Sequence, residues 1–338
     1  MPELPEVQTT VNGLNSAIVG MTISDAWTDY NSSFHAGKDS IKNPVYFRKF
    51  KNEVIGAHII EVTRRAKNIL IYIEKGRSKG IILVHMKMTG HILCGRFLFN
   101  GKNKRDPWTP APDERAALHD PFNRFIHFVL TLSSAKTSAK KRANKHPITH
   151  LALSDMRKFA KVTLISGTHI EENILGSEHL SKIGPEPLDK SFTFQVFKER
   201  LGRRPNGRVK TVLMDQEIIA GVGNIYSDEA LWRAGINPEE RVADISDVLL
   251  KKLYAATITV LKKGIDFGGD SMSDYRNING ERGKFQEKHR AYRRTGKKCT
   301  KPGCKGAIMR KVVGGRSAHF CSMHQQLLKN RRTTYVVK

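Results

Sequence analysis

The sequence predicts an α+β multidomain protein in which a β-rich domain, a helical domain and a small metal-stapled module follow one another. Short β-branched runs bounded by turn residues fill the first half, and that pattern is typical of strands. Helical periodicity replaces it in the second half. Three of the four cysteines then lie close together, between residues 299 and 321. A chain of 338 residues is long enough for two or three domains with their own cores.

Four apolar runs carry the strand prediction in the first half. They lie at residues 68–73, 80–85, 125–132 and 161–165. Short runs of this kind favour a sandwich or a barrel, and one helix is predicted before them, over residues 7–18. The polar stretches 100–116 and 133–147 interrupt the strands and are predicted to be surface loops. The second is expected to form a basic hairpin tip, because it carries Lys136, Lys140, Lys141, Arg142 and Lys145.

The pattern changes after a Gly-Pro-Glu-Pro-Leu segment at residues 184–188, which predicts a linker. Helices are predicted at residues 192–200, 209–213, 227–234 and 246–263. Residues 264–284 are polar and contain glycines, so a loop is expected there. The predicted boundaries are 1–183, 184–190, 191–284, 285–330 and 331–338, for the β-rich domain, the linker, the helical domain, the metal module and the tail.

The charge of the chain indicates its class of partner. Lysine and arginine number 58 against 32 acidic residues, which gives a formal net charge of +26. Such a field attracts polyanions, since binding releases counterions from their phosphates. Nucleic acid is the leading partner. Ribosomal and chromatin proteins share this charge, and an anionic membrane surface is a weaker alternative, so charge alone does not choose among them.

Membrane and secretory segments are not indicated by the sequence. No apolar run reaches transmembrane length. The start, Met-Pro-Glu-Leu-Pro-Glu, has neither the basic nor the apolar region of a secretory signal. Clustered cysteines suggest metal binding more than a disulfide framework, so a reducing compartment is expected.

The cysteine cluster predicts one structural zinc ion. The spacing is Cys299-x4-Cys304-x16-Cys321-x2-His324. Thiolates and an imidazole on two tight turns give four donors for tetrahedral zinc, and a short polar segment needs such a staple. His319 is a competing fourth ligand, and Cys94 could be recruited from far along the chain. Buried free thiols are the less favoured alternative.

The chain resembles the formamidopyrimidine-DNA glycosylases (Fpg), within the Fpg/Nei group of base-excision repair enzymes. The resemblance extends over nearly the whole chain and rests on motifs in family order. They are Pro-Glu-Leu-Pro-Glu-Val at 2–7, Arg-Arg-Ala-Lys at 64–67, His-Met-Lys-Met-Thr-Gly at 85–90, Asp-Met-Arg-Lys-Phe at 155–159, Gly-Pro-Glu-Pro-Leu at 184–188, Leu-Met-Asp-Gln at 213–216, Gly-Val-Gly-Asn-Ile-Tyr at 221–226 and Tyr-Arg-Arg-Thr-Gly at 292–296. Each is weak alone, and together they are specific.

The resemblance implies a fold, a reaction and a substrate. The fold is an N-terminal β-sandwich, a helix–two-turns–helix domain and a C-terminal zinc-finger β-hairpin, with DNA in the cleft between them. The reaction is excision of oxidised purines, 8-oxoguanine and formamidopyrimidines, followed by strand cleavage through β,δ-elimination. The partner is duplex DNA with oxidised bases or abasic sites, and a monomer is expected. A bacterial cytoplasm with nucleoid DNA is the default location.

The resemblance also assigns catalytic roles to Pro2, Glu3 and Lys67. Removal of Met1 would free the secondary amine of Pro2, whose ordinary pKa near 8 leaves a useful neutral fraction. A secondary amine forms a cationic iminium with a sugar aldehyde, which is the electron sink for elimination. Glu3 is the implied general acid/base, and Lys67 the implied phosphate contact in the cleft. Glu6 could support the site structurally.

Further residues match the family's DNA contacts. Met88, Arg157 and Phe159 correspond to the trio that fills the duplex after the damaged base is flipped out, with the arginine donating to the estranged base. Lys158 and Asn224 are expected to hold phosphates, the latter at a glycine-rich helix start. A phosphate-gripping arginine at the tip of the finger corresponds to Arg316.

The chain departs from the family pattern at three points. The zinc set has three cysteines and a histidine instead of four cysteines, the loops at 100–116 and 133–147 are longer, and Cys94 has no family role.

A Nei-type enzyme preferring oxidised pyrimidines is the alternative within repair. Leu4 and the long segment 268–285, which could cap a flipped purine, favour Fpg. A non-catalytic zinc-ribbon DNA-binding protein is the alternative from another class. The basic clusters 102–105 and 140–142 are interpreted as a DNA-binding face, with nuclear signals as the alternative.

Overall fold

The structure, a computed structural model, describes residues 1–134, 148–167, 177, 180–272 and 274–328. The predicted basic tip at 136–145 and the tail at 331–338 lie outside the described residues. The chain divides into two compact units. The first unit comprises Met1–Ser181 and Gly268–Lys284, and the second unit comprises Lys182–Phe267 and Phe285–Lys338.

The first unit contains two described α-helices and ten described strands. The helices are α1 (Leu4–Ile18) and α2 (Pro44–Val54). The strands are β1 (Met21–Thr28), β2 (His58–Arg65), β3 (Asn68–Lys75), β4 (Ser78–His85), β5 (His91–Gly95), β6 (Phe97–Phe99), β7 (Trp108–Pro110), β8 (Ile126–Ser134), β9 (Ile148–Ser154) and β10 (Lys161–Ser166). Short 3₁₀ turns lie at Ser33–His35, Ala116–His119 and Pro121–Asn123.

The predicted β-sandwich is confirmed. Eight of these strands are hydrogen-bonded in the order β10-β4-β3-β2-β1-β8-β9-β5, all neighbours antiparallel. The two halves of this order are joined by one register pair, Thr22 with His58 between β1 and β2, and by flanking backbone bonds such as that from the Ile23 N–H to the Ala57 carbonyl at 2.9 Å. Because this junction is so short, the halves fold into two layers around a common core. Ile71 and Ile82 from one half lie in the same buried cluster as Phe128 and Leu151 from the other.

The stretch 100–116 is more ordered than the surface loop predicted for it. It contains β7, which pairs with β6. Trp108 is buried and belongs to a second apolar cluster with Leu93 and Leu118, on the outer face of the sheet. Only the tip between the two strands fits the prediction of a polar loop. The tryptophan explains the difference, since burying a ring of that size stabilises a hairpin.

The second unit is helical, with a β-hairpin near its end. Its described α-helices are α3 (Phe194–Gly202), α4 (Val209–Met214), α5 (Asn224–Ala234) and α6 (Asp247–Asp266), and its strands are β11 (Ile308–Val313) and β12 (Arg316–Cys321). Two 3₁₀ turns lie at Val242–Asp244 and Phe285–Lys288. All four predicted helices are present to within a few residues. Among the described residues, no helix is both long enough and apolar enough to cross a membrane.

Two segments group differently from the predicted boundaries. The linker at 184–190 packs within the second unit, where the Gly184 N–H donates to the Gln216 carbonyl at 2.8 Å. Residues 268–284, predicted to belong to the helical domain, group with the first unit. They do so because their backbone bonds to it, as in the 2.7 Å bond from the Cys94 N–H to the Ile278 carbonyl. The remaining boundaries stay predictions.

Candidate active site and nucleic-acid interface

The start of α1 brings Pro2 and Glu3 together. Pro2 is buried directly before the helix, and Glu3 is its N-cap residue in an extended conformation. The Glu3 side chain accepts from the backbone N–H of Glu6, and the Glu6 carboxylate accepts from the Glu3 N–H at 2.7 Å. This reciprocal capping box fixes the chain entering the helix. The residues beside the Pro2 nitrogen are therefore held in one conformation.

Glu6 also connects α1 to the segment Gly268–Lys284. Its second carboxylate oxygen accepts from the Asp270 N–H at 2.7 Å. Gly269, at φ +83°, lies so close that a Cβ there would be 2.9 Å from Glu6 Cγ. The Tyr275 hydroxyl donates to the Glu6 carbonyl at 3.0 Å, and burial raises the pKa of this phenol, which keeps it a neutral donor. These contacts agree with the supporting function considered for Glu6 from the sequence.

Lys67 lies in the turn between β2 and β3 and is only 5% exposed. The preceding Ala66 is held at φ +53°, a left-handed conformation that is costly for a residue with a Cβ. Arg64, at the end of β2, donates from Nε to the Gln8 side chain of α1 at 2.9 Å. The Lys67 turn is thereby placed at the N-terminal end of α1.

The end of β4 lies at the same end of the first unit, because Asn68 pairs with His85. Burial, together with the charges of Lys87 and Lys67, lowers the pKa of His85 to about 3. His85 is therefore a neutral group there, and its Nδ1 accepts from the Lys87 N–H at 3.0 Å. The turn bearing Met88 follows directly.

Met88, Arg157 and Phe159 are presented at this end as an exposed apolar and cationic group. Met88 is 39% exposed and Phe159 47% exposed, although both types of side chain are usually buried. The Arg157 guanidinium carbon lies 4.5 Å from the centroid of the Phe159 ring. Antiparallel pairing of Lys161 with His85 brings the two turns together. Met88 and Phe159 are therefore exposed, as their match to the family's duplex-filling trio requires.

Thr89 and Asp155, to which sequence analysis assigned no role, join the two turns. The Thr89 hydroxyl donates to Asp155 Oδ1, and Asp155 Oδ2 accepts from the Ala160 N–H at 2.7 Å. The Arg157 N–H donates to Thr89 Oγ1 at 3.2 Å. Asp155 is fully buried. A carboxylate directly after the apolar strand β9 was the available signal in the sequence.

Lys158 is exposed to solvent and also pairs with an acidic side chain of the protein. Its ammonium lies 3.4 Å from Asp29 Oδ2, and Asp29 also accepts from His127 Nδ1 at 2.9 Å. Its backbone, at φ +56°, accepts from the Lys42 ammonium through the carbonyl. Three of the four described non-glycine residues with positive φ, namely Ala66, Lys87 and Lys158, thus lie next to residues predicted to act on DNA.

In the second unit, Asn224 is the first residue of α5 and follows a tight glycine turn. Gly221 is at φ +83°, a conformation that glycine adopts without strain. The Gln216 side chain holds the turn by donating to the Val222 carbonyl at 2.8 Å and accepting from the Gly221 N–H at 2.9 Å. The unpaired N–H groups of a helix start at such a turn can bind an anion.

A buried ion pair lies behind this turn. The Lys210 ammonium is 2.6 Å from Asp228 Oδ1 and 3.4 Å from the Asn224 carbonyl. Asp228 Oδ2 accepts from both the N–H and the imidazole Nδ1 of His319, at 2.9 and 2.8 Å. Since a buried charge is costly unless paired and hydrogen-bonded, this set of bonds attaches β12 firmly to α5.

The predicted metal ligands come together. Cys299, Cys304, Cys321 and His324 place one ligand atom each within 4.8 Å of one another. A tetrahedral zinc with bonds of about 2.3 Å to sulfur separates its ligand atoms by about 3.8 Å. Cys304 Sγ lies 3.5 Å from Cys321 Sγ, and 3.8 Å from His324 Nδ1. The cluster can therefore hold a metal ion of this geometry.

The surroundings of the cluster fit a metal with thiolate ligands. Backbone N–H groups of Lys301, Gly306 and Met323 point at the three sulfurs at 3.4–3.5 Å, and the bond from Gly306 lowers the pKa of the Cys304 thiol. His324 Nε2 donates to the Trp232 carbonyl at 3.0 Å, which leaves Nδ1 with its lone pair facing the sulfurs. Such an outer partner orients a histidine ligand.

Neither of the alternatives considered for the fourth ligand, His319 and Cys94, belongs to the cluster. His319 bonds to Asp228 through Nδ1. Cys94 lies in the core of the first unit and is not among the clustered residues. Arg316, by contrast, is exposed at the start of β12, directly after Gly314 and Gly315, which are at φ +56° and +74°. Two consecutive left-handed residues make a tight hairpin turn, so Arg316 lies at the predicted tip.

Two family models match the chain. The model of the formamidopyrimidine-DNA glycosylase N-terminal domain matches residues 1–162, and that of the formamidopyrimidine-DNA glycosylase H2TH domain matches residues 183–276. The formamidopyrimidine-DNA glycosylase of Paracoccus denitrificans is 34% identical over 332 residues, covering 96% of this chain and 100% of that protein. That of Pelotomaculum thermopropionicum is 31% identical over 327 residues, covering 97% and 100%.

Solved structures of DNA complexes are similar as well. Lactococcus lactis Fpg with DNA containing an abasic site has a TM-score of 0.73 at 28% identity, covering 96% of this chain and 100% of that chain. MutM with DNA containing carbocyclic 8-oxo-G has a TM-score of 0.72 at 28% identity, with the same coverage. The fold and the site thus define an enzyme of the DNA glycosylase/lyase class, which acts in base-excision repair. The chain belongs to the formamidopyrimidine-DNA glycosylase family.

Proposed function

We propose that this enzyme excises oxidised purines, 8-oxoguanine and formamidopyrimidines, from duplex DNA and then cleaves the strand by β,δ-elimination. The observation that carries the proposal is the N-terminus of α1, where Pro2 precedes a capping box of two buried carboxylates, Glu3 and Glu6. A proline at this position supplies a secondary amine once Met1 is removed. The capping box holds that amine next to an acid in a fixed geometry.

Catalysis begins with attack of the Pro2 nitrogen on the sugar C1′ atom. The C1′–N bond to the base breaks, and the base leaves with the proton that the attacking amine gives up. Glu3 then protonates the ring oxygen, and the C1′–O4′ bond breaks as the iminium forms and the sugar opens. The resulting iminium withdraws electrons from C2′, so loss of a C2′ proton expels the 3′ phosphate and a second elimination expels the 5′ phosphate. Hydrolysis of the iminium returns the amine. Lys67, fixed in its strained turn, binds a phosphate near the reacting nucleotide.

Access to C1′ requires the damaged nucleotide to leave the base stack. Met88 and Phe159 enter the space that the nucleotide leaves, and Arg157 donates to the estranged base. The stacking of the Arg157 guanidinium on the Phe159 ring supports this, because it places the two side chains side by side. The bonds between Thr89 and Asp155 hold the two turns together so that the three side chains enter as one group.

Phosphate binding orients the duplex on the enzyme. Asn224 at the start of α5 and Arg316 at the hairpin tip each hold a phosphate, and Lys158 adds a further contact beside its ion pair with Asp29. One structural zinc ion on Cys299, Cys304, Cys321 and His324 holds the hairpin folded when bound. The enzyme acts as a monomer, and duplex DNA is its partner. It is associated with the nucleoid in a bacterial cytoplasm.

Preference for purines over oxidised pyrimidines follows from the segment Gly268–Lys284, which is long enough to cover a flipped purine. The test is a parallel trapping assay with borohydride, on duplexes containing 8-oxoguanine, formamidopyrimidine or an oxidised pyrimidine. Efficient adducts with the two purine lesions are expected. A preference for the pyrimidine lesion would favour a Nei-type activity, and no adduct on any lesion would favour a non-catalytic DNA-binding protein.

A further inference from the structure

The proposed cap, Gly268–Lys284, is a loop. Its second half, residues 275–283, is called the returning limb and is held by many internal hydrogen bonds. The Asn277 side chain accepts from the backbone N–H groups of Asn279 and Glu281 at 2.9 and 3.0 Å, and the backbone N–H of Asn277 donates to the Glu281 carbonyl at 2.9 Å. A turn with this many internal bonds keeps its shape on its own. What fixes it in space is a set of contacts with residues 115–123, which we call the platform, and with the edge of the sheet.

The first contact is the close approach of Gly280 to the platform. Gly280 is at φ +83°, and a Cβ there would lie 2.6 Å from the Ala117 carbonyl oxygen. The buried Asn123 side chain donates to the Ala117 carbonyl at 2.8 Å and to the Gly280 carbonyl at 3.4 Å. Its Oδ1 accepts from His91 Nε2 of β5 at 3.0 Å. Asn123 thus joins the sheet, the platform and the loop.

Two arginines make the second contact, one from each side. Arg115 of the platform donates to Asn279 Oδ1. Arg276 of the loop is 3% exposed and lies 3.6 Å from Asp120, with its guanidinium carbon 4.9 Å from the Phe122 ring centroid. A guanidinium that is buried between a carboxylate and an aromatic ring is fixed in position and in orientation.

The third contact is with the sheet edge. The Cys94 N–H, on the free side of the edge strand β5, donates to the Ile278 carbonyl at 2.7 Å. Ile278 itself packs into the main core, where a Cβ on Gly13 of α1 would be 2.8 Å from it. The limb is therefore bonded to the platform on one side and to the sheet on the other.

We infer that the platform is a positioning element for lesion recognition. It holds the returning limb, so that the exposed Met272 of the loop is presented to a flipped base from a fixed direction. The inference rests on the proposed function, because it takes the segment Gly268–Lys284 as the cover of the damaged base. It gives residues 115–123 a specific task in selecting oxidised purines.

The test breaks the exposed contact, since Arg115 and Asn279 can be changed without opening the core. Arg115→Met, Asn279→Ala and the double variant are compared with Arg77→Met, a matched change at the exposed turn between β3 and β4. Two reactions are measured, excision of 8-oxoguanine opposite cytosine and nicking of a preformed abasic site. Hydrogen exchange is followed in a peptide spanning residues 275–283.

Each single variant should lower excision about tenfold, because a misplaced cover mispositions the base. Nicking of the abasic site should change by less than about twofold, since no base remains to be covered. The double variant should be no worse than the singles, because both changes remove one contact. Exchange in residues 275–283 should accelerate in all three, and Arg77→Met should leave every measurement unchanged.

Unchanged exchange, an unchanged excision rate, or an equal loss in both reactions would overturn the inference. An unmodified enzyme that excises no oxidised purine would instead defeat the proposed function. In that case the exchange measurement alone decides whether the platform holds the limb.

Discussion

Asp228 Oδ2 accepts two hydrogen bonds from His319, one from its backbone N–H at 2.9 Å and one from its imidazole at 2.8 Å. The neighbouring Glu229 accepts from the N–H groups of residues 290, 291 and 292 at 2.8–3.0 Å. Near the end of the same helix, the Trp232 carbonyl accepts from His324. Helix α5 thus carries the Asn224 turn at one end and holds the metal module along its length.

Metal content should separate the two histidines of the module. His324→Ala should lose tight zinc binding, because it removes a ligand atom that lies 3.5 Å from Cys299 Sγ. His319→Ala should keep one zinc per chain and instead lower stability, since it leaves the buried Asp228 with fewer partners. Zinc is measured by elemental analysis after gel filtration. Full zinc in the first variant with loss in the second would show that the ligand assignment is wrong.

Removal of zinc should unfold the finger and abolish duplex binding, while the first unit stays folded. The expectation follows because only Ile308 and Val313 of the six residues of β11 are buried, so the hairpin has little core of its own to hold it together. Chelation and Cys299→Ser should act alike, as followed by DNA binding and by circular dichroism. Full duplex binding by a chelated, metal-free sample would contradict it.

The dependence of binding on salt should be steep. About six phosphate contacts give a log–log slope of about −5. Arg316→Ala should flatten that slope by about one unit. Arg77→Ala, at the exposed turn between β3 and β4, is the control for loss of positive charge alone. If Arg316→Ala leaves affinity and slope unchanged, its phosphate contact is refuted.

Lowering the pH should destabilise the first unit through His91. Burial lowers the pKa of His91 to about 4, with Arg276 adding to the shift and Asp274 opposing it. In the unfolded chain the imidazole has its ordinary pKa near 6.5 and binds a proton first. The free energy of unfolding should therefore fall by about 1.4 kcal/mol per pH unit between these values.

His91→Gln should remove this component, because its amide can still donate to Asn123 without titrating. Denaturant unfolding of both proteins between pH 4 and 7 measures the difference. Parallel pH profiles for the two proteins would show that His91 is not the group responsible.

Local patterns predicted much of the architecture. The four strand runs and four helices were visible as periodicity, and the zinc ligands as spacing within one short segment. Helix α2 was not predicted, since its apolar residues do not form a buried stripe and, of its eleven residues, only Phe50 and Val54 are buried. The burial of Trp108 was not predicted for a related reason, since a single large apolar residue in a polar stretch makes no periodic pattern.

Contacts between distant residues could not be predicted from one sequence. Thr89 and Asp155 are 66 positions apart, Asp228 and His319 are 91 apart, and Asn123 and Gly280 are 157 apart. Each pair is polar, and nothing in its local pattern identifies the partner. The positive φ angles at Lys87 and Lys158 are equally invisible, because the surrounding fold imposes them.

The central claim is that the Pro2 amine is the nucleophile, and borohydride trapping with mapping of the adduct tests it most directly. Duplex containing 8-oxoguanine opposite cytosine should yield a covalent adduct at residue 2, and retention of Met1 should block it. Pro2→Gly should be impaired in both reactions, whereas Glu3→Gln should lose base excision more than nicking of an abasic site. An adduct that maps to Lys67 or another lysine, or no adduct on any damaged duplex, would contradict the mechanism.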